Sequence, residues 1–125
     1  MSDALYGADM GSSTEMLKKM MDVCALRQEV LANNIANANT QNYKRRDIEF
    51  KKAFAEAVKS GSPEDFASII PKVSVDRTAK VGSNGNSVNM EKEMTRVTDN
   101  NLLYGVTARV LTGKFQRMQK AIKGR

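Results

Sequence analysis

Five asparagines crowd ten residues of this chain: Asn33, Asn34, Asn37, Asn39 and Asn42 fall in the stretch LANNIANANTQNYK, residues 31–44. Each amide donates two hydrogen bonds and accepts two, so the cluster is equipped for polar recognition. It is not equipped for proton transfer or nucleophilic attack. The sequence has no His, which removes the commonest general base and any Cys/His zinc site. Its one cysteine, Cys24, cannot close an intrachain disulfide and reads as a small buried hydrophobe. No phosphate-cradling Gly loop and no convergent carboxylate pair occurs, so the expectation is no enzyme, no metal and no cofactor.

The amides stand where an amphipathic helix should finish. Asn is a mediocre helix former because its short side chain competes for nearby backbone groups. One Asn suffices to end a helix in the left-handed conformation. Five suggest a surface whose amides meet polar groups of other chains.

The element before them begins, by its spacing, at Ser12, where Ser12 and Glu15 have the capping-box separation. Residues 1–11 contain Gly7 and Gly11 and little periodicity, and are expected to be flexible in the isolated chain. From there a heptad stripe runs through Leu17, Met21, Cys24, Gln28, Leu31, Ile35 and Ala38, polar only at Gln28. A longer stripe occupies the C-terminal end: Met90, Met94, Val97, Asn101, Tyr104, Ala108, Leu111, Phe115, Met118 and Ile122 alternate steps of four and three. With Asn89 as cap and Glu91 and Glu93 in the first turn, it predicts one helix over 89–123, roughly 50 Å long. Such a helix has no small core to hide in, and the N-terminal helix, read from Ser12, is too short to cover it. Exposed seam of this kind marks an assembly surface. Gln28 and Asn101 would fix register in the seam or reach out to solvent. Gly105 and Gly113 inside the long helix either permit close backbone approach or are tolerated at about 1 kcal/mol each.

The middle differs. Phe50, Phe54, Ala57 and Val58 give a short amphipathic helix that stops at Gly61 and Pro63. Val73 and Val75 alternate with polar neighbours as in one short strand, and Asn84–Gly85 suits a turn. The expected fold is mainly α: long N- and C-terminal helices in a coiled-coil-like pair, with a short irregular and β middle. The segments are 1–40, 41–88 and 89–125, together one domain. The low aromatic content of 6% and the 8 Met residues suit helix seams better than a sandwich core.

Charge is unevenly spread. Residues 1–39 carry three basic and five acidic side chains, net −2, whereas residues 88–125 carry eight and three, net +5. Opposite ends either present ordinary solvated faces or attract each other, within a chain or between chains. No apolar run is long enough to span a membrane, and the N-terminus lacks a basic region followed by an apolar stretch, so it does not read as a Sec signal peptide.

LANNIANANTQNYKRRDIEF resembles the N-terminal signature of bacterial flagellar axial proteins, the rod and hook subunits and their relatives. Asn34, Ala36, Asn37, Thr40, Tyr43 and Lys44 fall on that motif. The family usually has Pro-Gly after the Thr; here Gln41 and Asn42 stand there, and Asn can still adopt a positive φ. The C-terminal segment resembles the paired helix of the family, most like the proximal rod type. The resemblance implies a structural subunit of the basal-body rod. It implies export through the type III apparatus without a cleaved signal and helical assembly in the periplasm. The implied partners are copies of itself, other rod proteins and inner-membrane ring or export-gate components at the rod base. It implies neither nucleic acid binding nor membrane insertion; the rod transmits torque and its inner helices line the export channel. On residues alone, a cytoplasmic coiled-coil adaptor is the alternative. A basic nucleic-acid-binding helical protein fits the pI near 9.6 less well, because Lys114, Arg117, Lys120 and Lys123 lie off the seam as solvated positions.

Overall fold

The computed structural model describes the backbone of residues 2–124 and, of their side chains, residue 11 and residues 13–124. In chain order the elements are α1 (Ser2–Ala36), β1 (Arg46–Glu49), α2 (Lys51–Ser60), α3 (Pro63–Ala67), β2 (Lys72–Val75) and α4 (Met90–Ile122). The two long helices pack antiparallel: Asn34 meets Glu93, Cys24 and Gln28 meet Asn100, and Ser13 meets Lys114.

The N-terminal helix is longer than its capping signal implies. It runs unbroken through Ser12 from Ser2, so the Ser12–Glu15 spacing opens no helix, and at 35 residues α1 matches the 33 of α4. The expected freedom of residues 1–11 in the isolated chain falls largely on side chains outside the described residues. The start of α4 matches expectation: the Asn89 side chain accepts a hydrogen bond from the Lys92 amide.

α1 serves two partners. The line through Leu17, Met21, Cys24, Gln28, Leu31 and Ile35 lies toward α4, with Cys24 and Leu31 buried. A second line, Met16, Met20, Val23 and Val30, packs against Ile48, Phe54, Ala57, Phe66 and Ile69 of the middle segment. Phe54 anchors that small core, with Phe50 edge-on at 5.4 Å and Phe66 tilted at 6.0 Å. α2 ends where Gly61 takes a left-handed φ of 67°. Pro63 stops nothing; it sits in the first turn of α3, where its missing N–H is no loss. Val58, expected on the apolar side of α2, is exposed.

β2 covers the strand expected at Val73 and Val75, and it pairs antiparallel with a second strand, β1, that the sequence reading did not include. In that strand, β1, Ile48 is buried, while its partner Val73 stays exposed.

The α1–α4 contact departs from the apolar stripe of α4. Its buried line is Glu93, Asn100, Thr107 and Lys114, one residue earlier in each heptad. Of the expected stripe, Val97, Ala108 and Leu111 are half-buried, whereas Met90, Met94, Asn101, Tyr104, Phe115, Met118 and Ile122 are exposed in the subunit. Lys114, expected in solvent, donates to the Ser13 hydroxyl at 2.6 Å inside the contact. One residue is a rotation of about 100°. The helix takes it because Glu93, Asn100 and Lys114 have partners on α1 and in the middle segment, and buried polar groups must be satisfied. Neither Gly105 nor Gly113 meets another backbone closely in the subunit.

Leu31→Ala is expected to lower unfolding stability by about 2–5 kcal/mol, as for buried Leu truncations, whereas Met94→Ala should stay within about 0.5 kcal/mol. Urea denaturation of the two purified variants checks both. Equal losses would mean that Met94, rather than the polar line, faces α1.

Candidate assembly site at the helix junction

The chain leaves α1 through a tight, amide-lined turn. Asn37 Nδ2 donates to the Asn33 carbonyl at 2.9 Å, and the Thr40 hydroxyl donates to Asn37 Oδ1 at 3.0 Å. Asn42 takes φ 64°, the left-handed conformation that Gln41–Asn42 needs in place of Pro-Gly. A second turn locks onto the first. Asn86 Nδ2 donates to the carbonyls of Asn37 and Thr40, at 2.9 and 2.7 Å, and so caps α1 from outside. Asn42 N–H donates to the Asn84 carbonyl at 3.0 Å, and Lys44 Nζ donates to the Gly85 carbonyl. Gly85, at φ 77°, lies so close to Asn42 that an added Cβ would stand 2.2 Å from its Oδ1. Only glycine fits there.

Asn34 sits beneath these turns with 0% of its surface exposed. Its Nδ2 donates to the Arg46 carbonyl at 2.8 Å and to Glu93 Oε2 at 3.3 Å. Its Oδ1 accepts from the Arg46 amide at 3.0 Å and from the Tyr43 hydroxyl at 3.2 Å. The side chain thus acts as a strand partner for β1. Both donors and both acceptor sites are used, so nothing remains for bridging to another chain. This corrects the expectation that the Asn34 amide pairs with other subunits; its work is inside this one.

Glu93, also 0% exposed, is the charge this amide helps to hold. Arg45, 1% exposed, donates through Nε to Glu93 Oε1, and Arg96 Nη1 donates to the same oxygen at 3.0 Å. The guanidinium of Arg45 also reaches Asp76 through Nη1 and Asp47 through Nη2 at 3.0 Å. Arg27 Nε, from α1, donates to Asp47 at 2.9 Å. Burial alone would lower the Arg45 pKa, but its bonds to Glu93, Asp47 and Asp76 outweigh that and raise it. Burial pushes the Asp47 carboxyl up, yet Arg27, the Ile48 amide and Arg45 hold it down at about 2. Asp76 is lowered by the Thr78 hydroxyl, against burial, with Arg45 adding to it.

The motif residues Asn34, Asn37, Thr40, Tyr43 and Lys44 therefore converge on one junction, with Ala36 exposed at the end of α1. Sequence reading missed Arg45, Asp47, Asp76, Asn86 and Glu93 in these roles, and Ser87, whose hydroxyl accepts from the Arg45 amide at 2.8 Å. A signal for Glu93 existed: Glu93, Asn100, Thr107 and Lys114 recur at strict heptad spacing. The contacts of Arg45 with Asp76 and Glu93 span 31 and 48 residues, and no local pattern carries them. Among the described residues no group of His, Cys, Asp or Glu could hold a metal ion. No helix among them is long and apolar enough to cross a membrane.

Known proteins resemble the chain here and beyond. The family model described as flagella basal body rod protein matches residues 25–44, the end of α1 and the turn after it. The flagellar basal body rod protein FlgB of Salmonella typhimurium is 30% identical over 124 residues, covering 86% of this chain and 90% of that protein. The protein of the same name from Yersinia enterocolitica is 30% identical over 123 residues, covering 85% and 90%. That from Aquifex aeolicus is 28% identical over 124 residues, covering 94% and 98%.

Removing the Asn34 amide strands buried partners, at about 1–3 kcal/mol for each group left unsatisfied. Asn34→Ala should therefore destabilise the purified subunit in urea; a wild-type midpoint would mean that the junction does not depend on it. The Asp47 carboxyl titrates lower in the folded chain than its ordinary 3.8. Its contribution is full above that value and is lost as pH falls toward about 2. Stability measured across this window should fall less steeply in Asp47→Asn than in the wild type.

Proposed function

This chain belongs to the FlgB family of flagellar basal body rod proteins, and from that membership we propose how the subunit is used. It is a structural subunit of the proximal rod and assembles with other rod components. We read its role as mechanical rather than catalytic: copies stack helically, α1 and α4 contribute to the inner tube around the export channel, and the stack transmits torque. The observation that carries this is the exposed apolar line of α4. Met94, Tyr104, Phe115 and Met118 are open to solvent in the single subunit, and Ile122 is 82% exposed. A helix with a closed polar contact on one side and uncovered apolar side chains beside it is built to be covered by neighbours.

The junction prepares that surface. It fixes the exit of α1, the entry of α4 and the rotation of α4, so the apolar line points away from the subunit's own partner helix. The motif residues thus serve assembly through the shape of the subunit. The finer reading places the chain at the rod base in the periplasm, beside inner-membrane ring and export-gate components. It arrives there by type III export. The cytoplasmic adaptor and nucleic-acid readings gain support from none of the relatives.

Phe115→Asp tests the surface. Phe115 is 44% exposed, so the isolated subunit should melt within about 0.5 kcal/mol of wild type. In the rod the same change places an unpaired charge in an apolar contact, at several kcal/mol. The expected phenotype is a secreted subunit, few complete rods and little swimming; Leu111→Asp should add a folding defect. Normal swimming by Phe115→Asp would exclude this line from the assembled contact.

A further inference from the structure

The charge asymmetry between the two ends has a structural resolution. Glu15, Asp22 and Glu29 recur at heptad spacing along α1. At 100° per residue they lie roughly opposite the Cys24–Gln28 line that faces α4. Asp22 and Glu29 are exposed, and small residues, Ala25 and Ala32, stand exposed beside them. Lys18 lies 3.8 Å from Glu15 and offsets that charge, leaving Asp22 and Glu29 as the free acids of the stripe. On α4, Arg109 and Lys120 are exposed on the side roughly opposite Thr107 and Leu111, and Lys123, the residue after the helix, continues that side. No acidic residue occurs anywhere between residues 100 and 125.

Within the subunit these stripes never meet. Among the described residues, no ion pair joins an acid of α1 to a cation of α4. The reason is geometric: the helices touch through their fronts, and the charges lie on their backs. Of the two readings open to the sequence, attraction within a chain or between chains, these two stripes fit the second.

We propose that the basic back of α4 in one copy docks on the acidic back of α1 in the next copy, a contact that rests on the rod reading above. The two surfaces are different, so the contact is head-to-tail. Because the two surfaces lie on opposite sides of the helix pair, one twofold cannot join both at once, and the repeated contact yields a ring or an open helix, as a rod requires. Opposed charge also sets register and rejects the like-charged arrangement, α4 back on α4 back. The apolar line on the flank of α4 then supplies adhesion, and the stripes select which helix approaches from behind.

Charge reversal with rescue tests this. In cells lacking the native gene, versions of the full chain are supplied and complete rods are counted relative to the subunit secreted. Asp22→Lys with Glu29→Lys, and separately Lys120→Glu with Lys123→Glu, should each give about tenfold fewer rods. All four changes together should restore roughly half the wild-type count or more, because the stripes are again opposite. Purified reversed variants should melt at the wild-type temperature. A wild-type rod count in either reversed pair overturns the proposal, as does a combined version no better than its parents. So does a fall in melting temperature in both pairs that the combination restores, which would place the attraction inside one chain. Complete rods in cells supplied with no version at all would instead overturn the rod reading itself.

Discussion

A carboxylate taken out of water must be met by a cation and by enough hydrogen bonds to replace its solvent, and Glu93 is placed where only the assembled tertiary structure can do this. Arg45 comes from the turn after α1, Asn34 from α1 itself and Arg96 from the next turn of α4. Arg45 in turn needs Asp47 and Asp76 for its remaining donors, and Asp47 needs Arg27. The cluster therefore links both long helices, both strands' ends and the turn at Asp76. None of these charges is stable where it is unless all the elements are in place, which makes the junction cooperative.

That demand sets the rotation of α4. With Glu93 turned inward, the residues at heptad distance follow it: Asn100 donates to the Cys24 carbonyl at 2.8 Å, Thr107 is buried and Lys114 reaches Ser13. The apolar side chains one residue later in each heptad are carried to the flank. A monomer optimised for its own stability would bury Met94 and Phe115 and expose Glu93. This one does the reverse, sealing polar groups inside and leaving apolar surface for its neighbours, as suits a subunit of a rod.

The asparagines follow the same logic. Asn34 supplies four hydrogen bonds in the volume of one small side chain, which neither a hydrophobe nor a carboxylate could do. Asn37 and Asn42 shape the turn, and Asn86, distant in sequence, satisfies the end of α1. Asn33 and Asn39 stay exposed. The cluster is neither mere helix punctuation nor, at Asn34, an intersubunit bridge; it is the hydrogen-bonding frame that holds β1 and α4 against α1.

Local physics was legible in the sequence wherever a short stretch decides the outcome. The cap at Asn89, the length of α4, the α1 seam through Cys24 and Leu31, the strand at Val73, the positive φ available to Asn42 and the stop at Gly61 all depend on neighbours a few residues away. So did the family, because its motif lies in one continuous stretch at the end of α1. What the tertiary structure decided was everything that hinges on partners far along the chain. Residue periodicity marks α4 as a seam helix but cannot weigh an apolar stripe against a buried carboxylate whose cation lies 48 residues away. It cannot pair β1 with β2 across two intervening helices, or turn Lys114 inward. Nor can it tell that the oppositely charged faces of the two long helices point away from each other, because that depends on which faces the two helices spend on each other.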